Sequence, residues 1–510
     1  EEDTLTKPKS EPIEAPDIQA VTKAVTMLDA VPADTIFFSG GLEPAPLQEI
    51  LQWSADNFNV LKEFDPTGMF SAGQEKQSPG LRMITRLCLD YYAVMLSHQA
   101  ELASWGIPEK AFLSTYTVGL APVLLRISLD DVQQFNKKID ALETEAKITG
   151  QPETLGKATY RRYMLNKSDP SLDLIIGVDT EREQAVFMLD IGVDSEQTLA
   201  VALGQQKPEK TLAETGRVEA LQKQYHLHPA FIGYLDHRQL ITGLTTKEGN
   251  SIAKMMQALA PHLQGAEEGL LKELQTEGCR HDVEEIGQNW PQTVFGYTVL
   301  DLATAPSRID SLLVIENTEK ALLDGLRSIR GFVPHYVTEP AESPVLAAGI
   351  GLNLEKIVPF LTERQAAIAR KQYSCSFLKE MQETANPQQS AALAMATGMA
   401  PGVQGLAFSL LSLDLEAAEA DTTPMPKNID ALISLAVKDP VSLVQMISAF
   451  FPPLAQLQFP TDGTPVQLPL PIQLPFPVMA AINGSHLTVY AGEKSQALAE
   501  GLRSGFAGGR

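Results

Sequence analysis

A small unit recurs about five times along this chain, and no other feature restricts the fold as strongly. It reads strand, tight turn, strand, then a capped helix. Two copies are plainest: Arg308–Ile315 and Asn428–Leu435 are apolar-rich runs with an Ile-Asp start (Ile309-Asp310 and Ile429-Asp430). Each is followed at once by a helix opener, Asn317-Thr318-Glu319-Lys320 in one case and Asp439-Pro440-Val441-Ser442 in the other. Sequential strands joined by short turns pair antiparallel, and a helix that follows must bury its apolar stripe on the sheet.

The remaining units follow the same logic. Leu172–Val178 and Gln184–Ile191 flank a turn at Asp179–Arg182, and Asp194 caps a helix from Ser195. Phe231–Leu235 and Gln239–Leu244 read as a second hairpin around Asp236-His237, with Thr245-x-x-Glu248 as a capping box. Segments 294–302 and 309–315 form a third, and 405–415 with 428–437, joined by an acidic loop, a fourth. Pro477–Ile482 and His486–Tyr490 meet across Asn483-Gly484-Ser485, a strong hairpin signal.

The expected fold is therefore α+β: repeated β-hairpin-plus-helix units forming antiparallel sheets covered by helices, in two related halves. Residues 1–17 are charged and Pro-rich and read as a flexible tether. A short amphipathic helix is expected over 18–30. The N-terminal half spans 18–335, with a helical insertion at about 47–105; the C-terminal half spans 336–510, the joint lying in 334–344. Across 78–105, Leu81, Ile84, Leu87, Cys88, Tyr91, Tyr92, Met95 and Leu96 make one broad helix face. Segment 112–127 reads as one or two strands, and 131–147 as a helix whose dipole suits Asp130-Asp131. The uncharged stretch 384–413 is long enough to span a bilayer, but Pro387, Gly398 and Pro401-Gly402 interrupt it. It reads instead as a helix over 388–398 and a buried strand over 403–413.

Net charge is −23, and no Lys/Arg cluster supplies the basic field that phosphate binding requires, so nucleic acid is excluded as a partner. Cys88, Cys279 and Cys375 are too few and too far apart for a disulfide scaffold. Residues 451–479 interleave prolines with Leu, Phe, Val and Ile. Proline cannot donate to a ladder, so this arm is expected at a sheet edge or in polyproline conformation. Its Pro469, Leu470, Pro471, Leu474 and Phe476 are the expected partner-contact residues.

Chemical motifs are sparse. His226-Leu227-His228, with His237 beyond, is the one metal-ligand pattern, and Pro229 interrupts it. Cys279-Arg280-His281-Asp282 brings a thiol, an imidazole and a carboxylate together, but such near neighbours point apart, and a helix ending after Gly278 accounts for their polarity. Gly349-Ile350-Gly351 lies at a strand-to-helix turn but lacks the third glycine of a dinucleotide loop, Leu354 standing in its place. The acid pairs Asp130-Asp131, Glu267-Glu268 and Glu284-Glu285 diverge as helix neighbours do and make no catalytic dyad. No catalytic residue and no cofactor is expected.

The helix leading into Pro32-Ala33-Asp34-Thr35-Ile36-Phe37-Phe38, with the terminal Leu487-Thr488-Val489-Tyr490-Ala491-Gly492 and its helix, resembles a family of bacterial envelope proteins known only as a domain of unknown function. The resemblance implies a periplasmic or lipid-anchored location in a Gram-negative bacterium, and supplies no catalytic residues. The expected function is that of a non-enzymatic exported envelope protein binding a partner protein or an apolar small molecule or lipid. The alternatives are a hydrolase with its site scattered over loops, and a structural subunit of a larger envelope assembly in which the arm 451–479 adds a strand to a neighbour.

Overall fold

A computed structural model describes residues 27–57, 77–96, 101–120, 124–304, 307–341, 344–384, 402–415, 426–450, 452–470 and 474–505. The tether 1–17, most of the helix expected at 18–30, the helix expected at 388–398, most of the acidic loop and Pro471 lie outside these. The chain divides into two units, Glu1–Thr318 and Glu319–Arg510. The boundary thus falls before the 334–344 segment in which the sequence placed it.

The first unit is built on an antiparallel sheet whose order is β10-β9-β8-β1-β2-β3-β7-β6-β5-β4. Its strands are β1 (Phe37–Gly40), β2 (Leu113–Tyr116), β3 (Leu124–Ser128), β4 (Gln151–Leu155), β5 (Ala158–Asn166), β6 (Leu172–Asp179), β7 (Gln184–Asp190), β8 (Ile232–Asp236), β9 (Gln292–Asp301) and β10 (Arg308–Ile315). One residue row crosses most of it in register: Ile176, Phe187, Leu125, Thr115, Ser39, Gly233, Phe295, Leu313. Side chains alternate faces along a strand, so everything in this row shares one face. The opposite face carries the core of Phe38, Tyr116, Leu124, Ile175, Val186 and Tyr234, closed by helices Ser195–Ala202 and Arg217–Tyr225.

The row face is covered by helices over β2, β3, β6 and β7. Helix Val132–Ala146 buries Phe135, Ile139 and Leu142 there. It starts where Asp131 accepts the Gln134 N–H at 2.9 Å and stops at Lys147 in left-handed backbone (φ 53°). Helix Pro79–Leu96 begins with proline at its first position, and the Ser78 hydroxyl accepts the Leu81 N–H at 3.4 Å. Helix Leu47–Asn57 packs beside it.

One predicted hairpin is corrected. Residues 239–244 belong to a helix, His237–Thr245, and not to a strand. Asp236 caps it, accepting the Gln239 N–H at 3.0 Å, and Leu240, Ile241 and Leu244 have the spacing of a helix face. β8 therefore pairs with β1 and β9. The capping box expected at Thr245–Glu248 is likewise displaced: the next helix starts at Ser251, with Asn250 accepting the Ala253 N–H at 3.0 Å.

The second unit holds an antiparallel sheet of order β11-β12-β13-β16-β15-β14. These are β11 (Leu346–Ile350), β12 (Val403–Leu415), β13 (Pro426–Val437), β14 (Val466–Gln467), β15 (Met479–Asn483) and β16 (His486–Ala491). Helix Glu493–Gly501 closes one face over Leu432, Tyr490 and Ala481. The β15–β16 turn has only Gly484 at positive φ (60°), the pattern of a type II′ turn with Gly-Ser as its two loop residues; Asn483 pairs with His486. The Pro-rich arm contributes β14, two residues at the sheet edge beside β15. Among the described residues no helix is long and apolar enough to cross a membrane.

Candidate functional site

An apolar cavity of about 610 Å³ lies in the first unit, between the helical insertion and the row face of the sheet. Its floor is Leu113 on β2, Leu125 and Ile127 on β3, Leu174 on β6 and Phe187 on β7. Helix Pro79–Leu96 supplies Ile84, Leu87, Cys88, Tyr91 and Val94, a stripe at steps of three, one, three and three. Leu47, Ile50 and Leu51 come from the helix Leu47–Asn57, and Leu102 and Trp105 from a short 3₁₀ turn. Among the described residues, none that lines it is charged.

The Trp105 indole donates to Asp90 at 2.9 Å, and Lys138 reaches the same carboxylate at 2.7 Å. That ammonium also lies 5.4 Å from the Trp105 ring centre, a cation–π contact. Cys88 is a free, exposed thiol at the margin, whereas Cys279 and Cys375 are buried.

A second, smaller pocket of about 370 Å³ shares Phe231 with the first. It is lined by Ser39, Gly233, Phe295, Tyr297, Ser311 and Leu313 among others, on the same sheet face. A Cβ on Gly233 would lie 2.2 Å from the Phe295 ring, so only glycine lets that ring lie across β8. Phe37 stacks on Phe295 at 5.8 Å, and Phe231 meets Tyr297 edge-on at 5.4 Å.

A larger depression, about 920 Å³, has many polar lining groups, but these serve the fold. Asp34 accepts the Ser251 N–H at 2.7 Å, Asn250 caps the helix that Ser251 opens, and Glu214 closes a capping box with Thr211. Among the described residues, neither histidine nor cysteine lines it.

The three candidate metal ligands do not converge. His226 ends the helix Arg217–Tyr225 in left-handed backbone (φ 52°) and is exposed. His228 Nδ1 accepts the Ala230 N–H at 3.2 Å, and burial pushes its pKa below the ordinary value. His237 opens its helix, with Nδ1 2.9 Å from the Trp290 carbonyl and Nε2 3.2 Å from the Thr293 hydroxyl. Among the described residues no group of three or more His, Cys, Asp or Glu side chains is placed to hold a metal. Cys279 and Asp282 are buried within helix Glu277–Asn289, which begins just before Gly278 and so corrects the expectation of a helix ending there. In the arm, Pro469 and Leu470 are exposed and Leu474 and Phe476 half-buried.

Fold and cavity define an α+β protein of two antiparallel sheets with an apolar site under its helical insertion. Comparison with protein-family profiles, with curated proteins and with solved structures gave no match.

Proposed function

We propose that this chain is a non-enzymatic binding protein and that the first unit holds an apolar small molecule in the cavity beneath helix Pro79–Leu96. The observation that carries this reading is a cavity of about 610 Å³ with no charged group among its described lining residues. That volume lies in the range of small-molecule sites, and burying apolar surface is its dominant source of affinity. The same proposal keeps the chain in the bacterial envelope, on the resemblance of Pro32–Phe38 and Leu487–Gly492.

The test uses N-phenylnaphthylamine, an uncharged dye that brightens in apolar surroundings. The dye should bind, and its binding should slow maleimide modification of Cys88, which lines the cavity. Leu87→Trp, which fills the space, should abolish both effects. Dye binding unchanged in Leu87→Trp, with Cys88 unprotected, would sink the proposal.

A protein partner is a second reading, supported by the sheet face of the second unit that helix Glu493–Gly501 does not cover. Leu346, Ile350, Leu406 and Ile433 share that face and are 56%, 56%, 48% and 44% exposed. Exposed apolar patches of this kind mark interaction sites. Leu406→Glu with Ile433→Glu should then release whatever copurifies with the chain from its native membranes; full retention would argue against this face.

A further inference from the structure

We propose that strand β11 of the second unit pairs antiparallel with β11 of a second copy of this chain, across a two-fold axis through Ala348. This pairing is independent of the cavity in the first unit.

The two sheets have four edge strands, β10, β4, β11 and β14. An edge presents N–H and C=O groups to any other strand, and proteins blunt it with charge, proline, a bulge or short length. Three of the four edges carry such a device. β10 holds Arg308 and Asp310 and is bulged between Asp310 and Ser311. β4 holds Pro152 and Glu153. β14 is two residues long, between Pro465 and Pro469. β11 has none of these: Val345 to Leu352 reads Val-Leu-Ala-Ala-Gly-Ile-Gly-Leu, and its register with β12 is unbroken. Leu346, Ala348 and Ile350 lie on one face of it and are all exposed. Past Ile350 the Gly351 carbonyl accepts the Gly331 N–H at 3.1 Å, so the open stretch is β11 itself.

The side-chain pattern of β11 assigns the partner. Turned antiparallel about Ala348, the strand sets Leu346 opposite the second copy's Ile350, and Ile350 opposite its Leu346. Ala348 meets its own counterpart between them on the same face, and Ala347 meets Gly349 on the other face. Large apolar side chains thus meet at both ends and small ones at the centre, with no charge to bury. Cross-strand apolar pairs of this kind are what stabilise a sheet. The pairing is isologous, so it uses the open edge of both copies and closes at two. The net charge of −23 opposes the approach. At about 0.15 M salt that repulsion is screened beyond about 8 Å, and the strand itself is uncharged.

Sedimentation equilibrium of the full chain at about 50 µM and about 0.15 M salt should show a dimer. Ala348→Glu and Ala348→Lys, at an exposed position, each set like charges face to face. Each should raise the dimer dissociation constant at least about tenfold, and an equimolar mixture of the two should return to within about threefold of wild type. Ala348→Cys in a Cys88→Ser background should form an intermolecular disulfide, because the Cα atoms of opposite residues lie about 5 Å apart. Leu346→Cys should not, since its two copies lie four residues apart along the strands, about 14 Å. A wild-type monomer overturns the proposal, as does a dimer equally tight in Ala348→Glu. A mixture that stays monomeric, or Leu346→Cys cross-linking as readily as Ala348→Cys, overturns the two-fold through Ala348.

Discussion

At the residue scale the most demanding position is Arg126, fully buried on β3. Its Nε donates to the Tyr116 hydroxyl at 2.8 Å, and Nη1 to Asp179 at 2.8 Å and Gln184 at 2.7 Å. Nη2 reaches the Ala202 carbonyl at 2.5 Å, at the end of helix Ser195–Ala202. The guanidinium thereby serves carbonyls that a helix end leaves unpaired, while Asp179, which also accepts from Arg182 at 3.0 Å, balances its charge. Burial lifts the Tyr116 pKa, which keeps its hydroxyl neutral. Removing one partner of a buried pair strands the other, so Arg126→Ala should cost about 3–5 kcal/mol in denaturant unfolding. A loss below about 1 kcal/mol would contradict this account. His486 is buried in the second unit against the Phe332 ring, 5.1 Å between centres, and burial pushes its pKa down to about 4. Above about pH 6.5 both folded and unfolded forms are neutral; below it the unfolded chain takes up the proton first. Stability conferred by the neutral ring is thus present above pH 6.5 and lost as pH falls toward 4, by roughly 2–3 kcal/mol. His486→Gln should flatten that slope, and an unchanged slope in the variant would refute the assignment. Arg126 shows why sequence alone leaves such sites invisible: its partners come from four other elements, and no local spacing marks them.

At the scale of elements, the two Ile-Asp starts that look alike in sequence do different work. Asp310 on β10 pairs with Arg308 in its own strand. Asp430 on β13 reaches across the sheet to cap the helix Glu493–Gly501, accepting the Ser495 N–H at 2.7 Å, the Lys494 N–H at 3.1 Å and the Ser495 hydroxyl. Gly492 makes room for it, with φ at 96° and a hypothetical Cβ 2.5 Å from the Asp430 carboxyl. Asp430→Ala should therefore cost about 1–2 kcal/mol, the loss of a side-chain cap, whereas Asp310→Ala should cost under about 0.5 kcal/mol. Equal losses would show that the cap carries no weight. Hairpins β6–β7, β9–β10, β12–β13 and β15–β16 were legible because alternation and turn residues are local signals. The 231–244 segment was misread because β8 finds its partners far along the chain, and a short apolar run does not separate strand from helix. The cavity was half legible. Ile84, Leu87, Cys88 and Tyr91 stood out as a broad apolar stripe, but that the stripe faces a gap depends on Leu125 and Phe187 beneath it.

At the scale of the whole molecule, each unit encloses its own apolar core. The first is organised around Phe38, Tyr116 and Ile175 on one sheet face and Phe135, Ile139 and Met83 on the other. The second is organised around Leu432, Tyr490 and Ala499, with a further cluster of Val403, Val437 and Leu443. Separate cores beyond about 150 residues give separate cooperative transitions, because burial within one does not depend on the hydrogen bonds of the other. Calorimetry should resolve two unfolding transitions for the full chain. Arg126→Ala should lower one midpoint and leave the other in place, while Asp430→Ala should do the reverse, since mutations at distant sites act independently. N-phenylnaphthylamine should raise only the transition that Arg126→Ala lowers, because a ligand stabilises the unit that binds it. One merged transition, moved equally by both variants and by the dye, would show that the two cores fold as a single cooperative body.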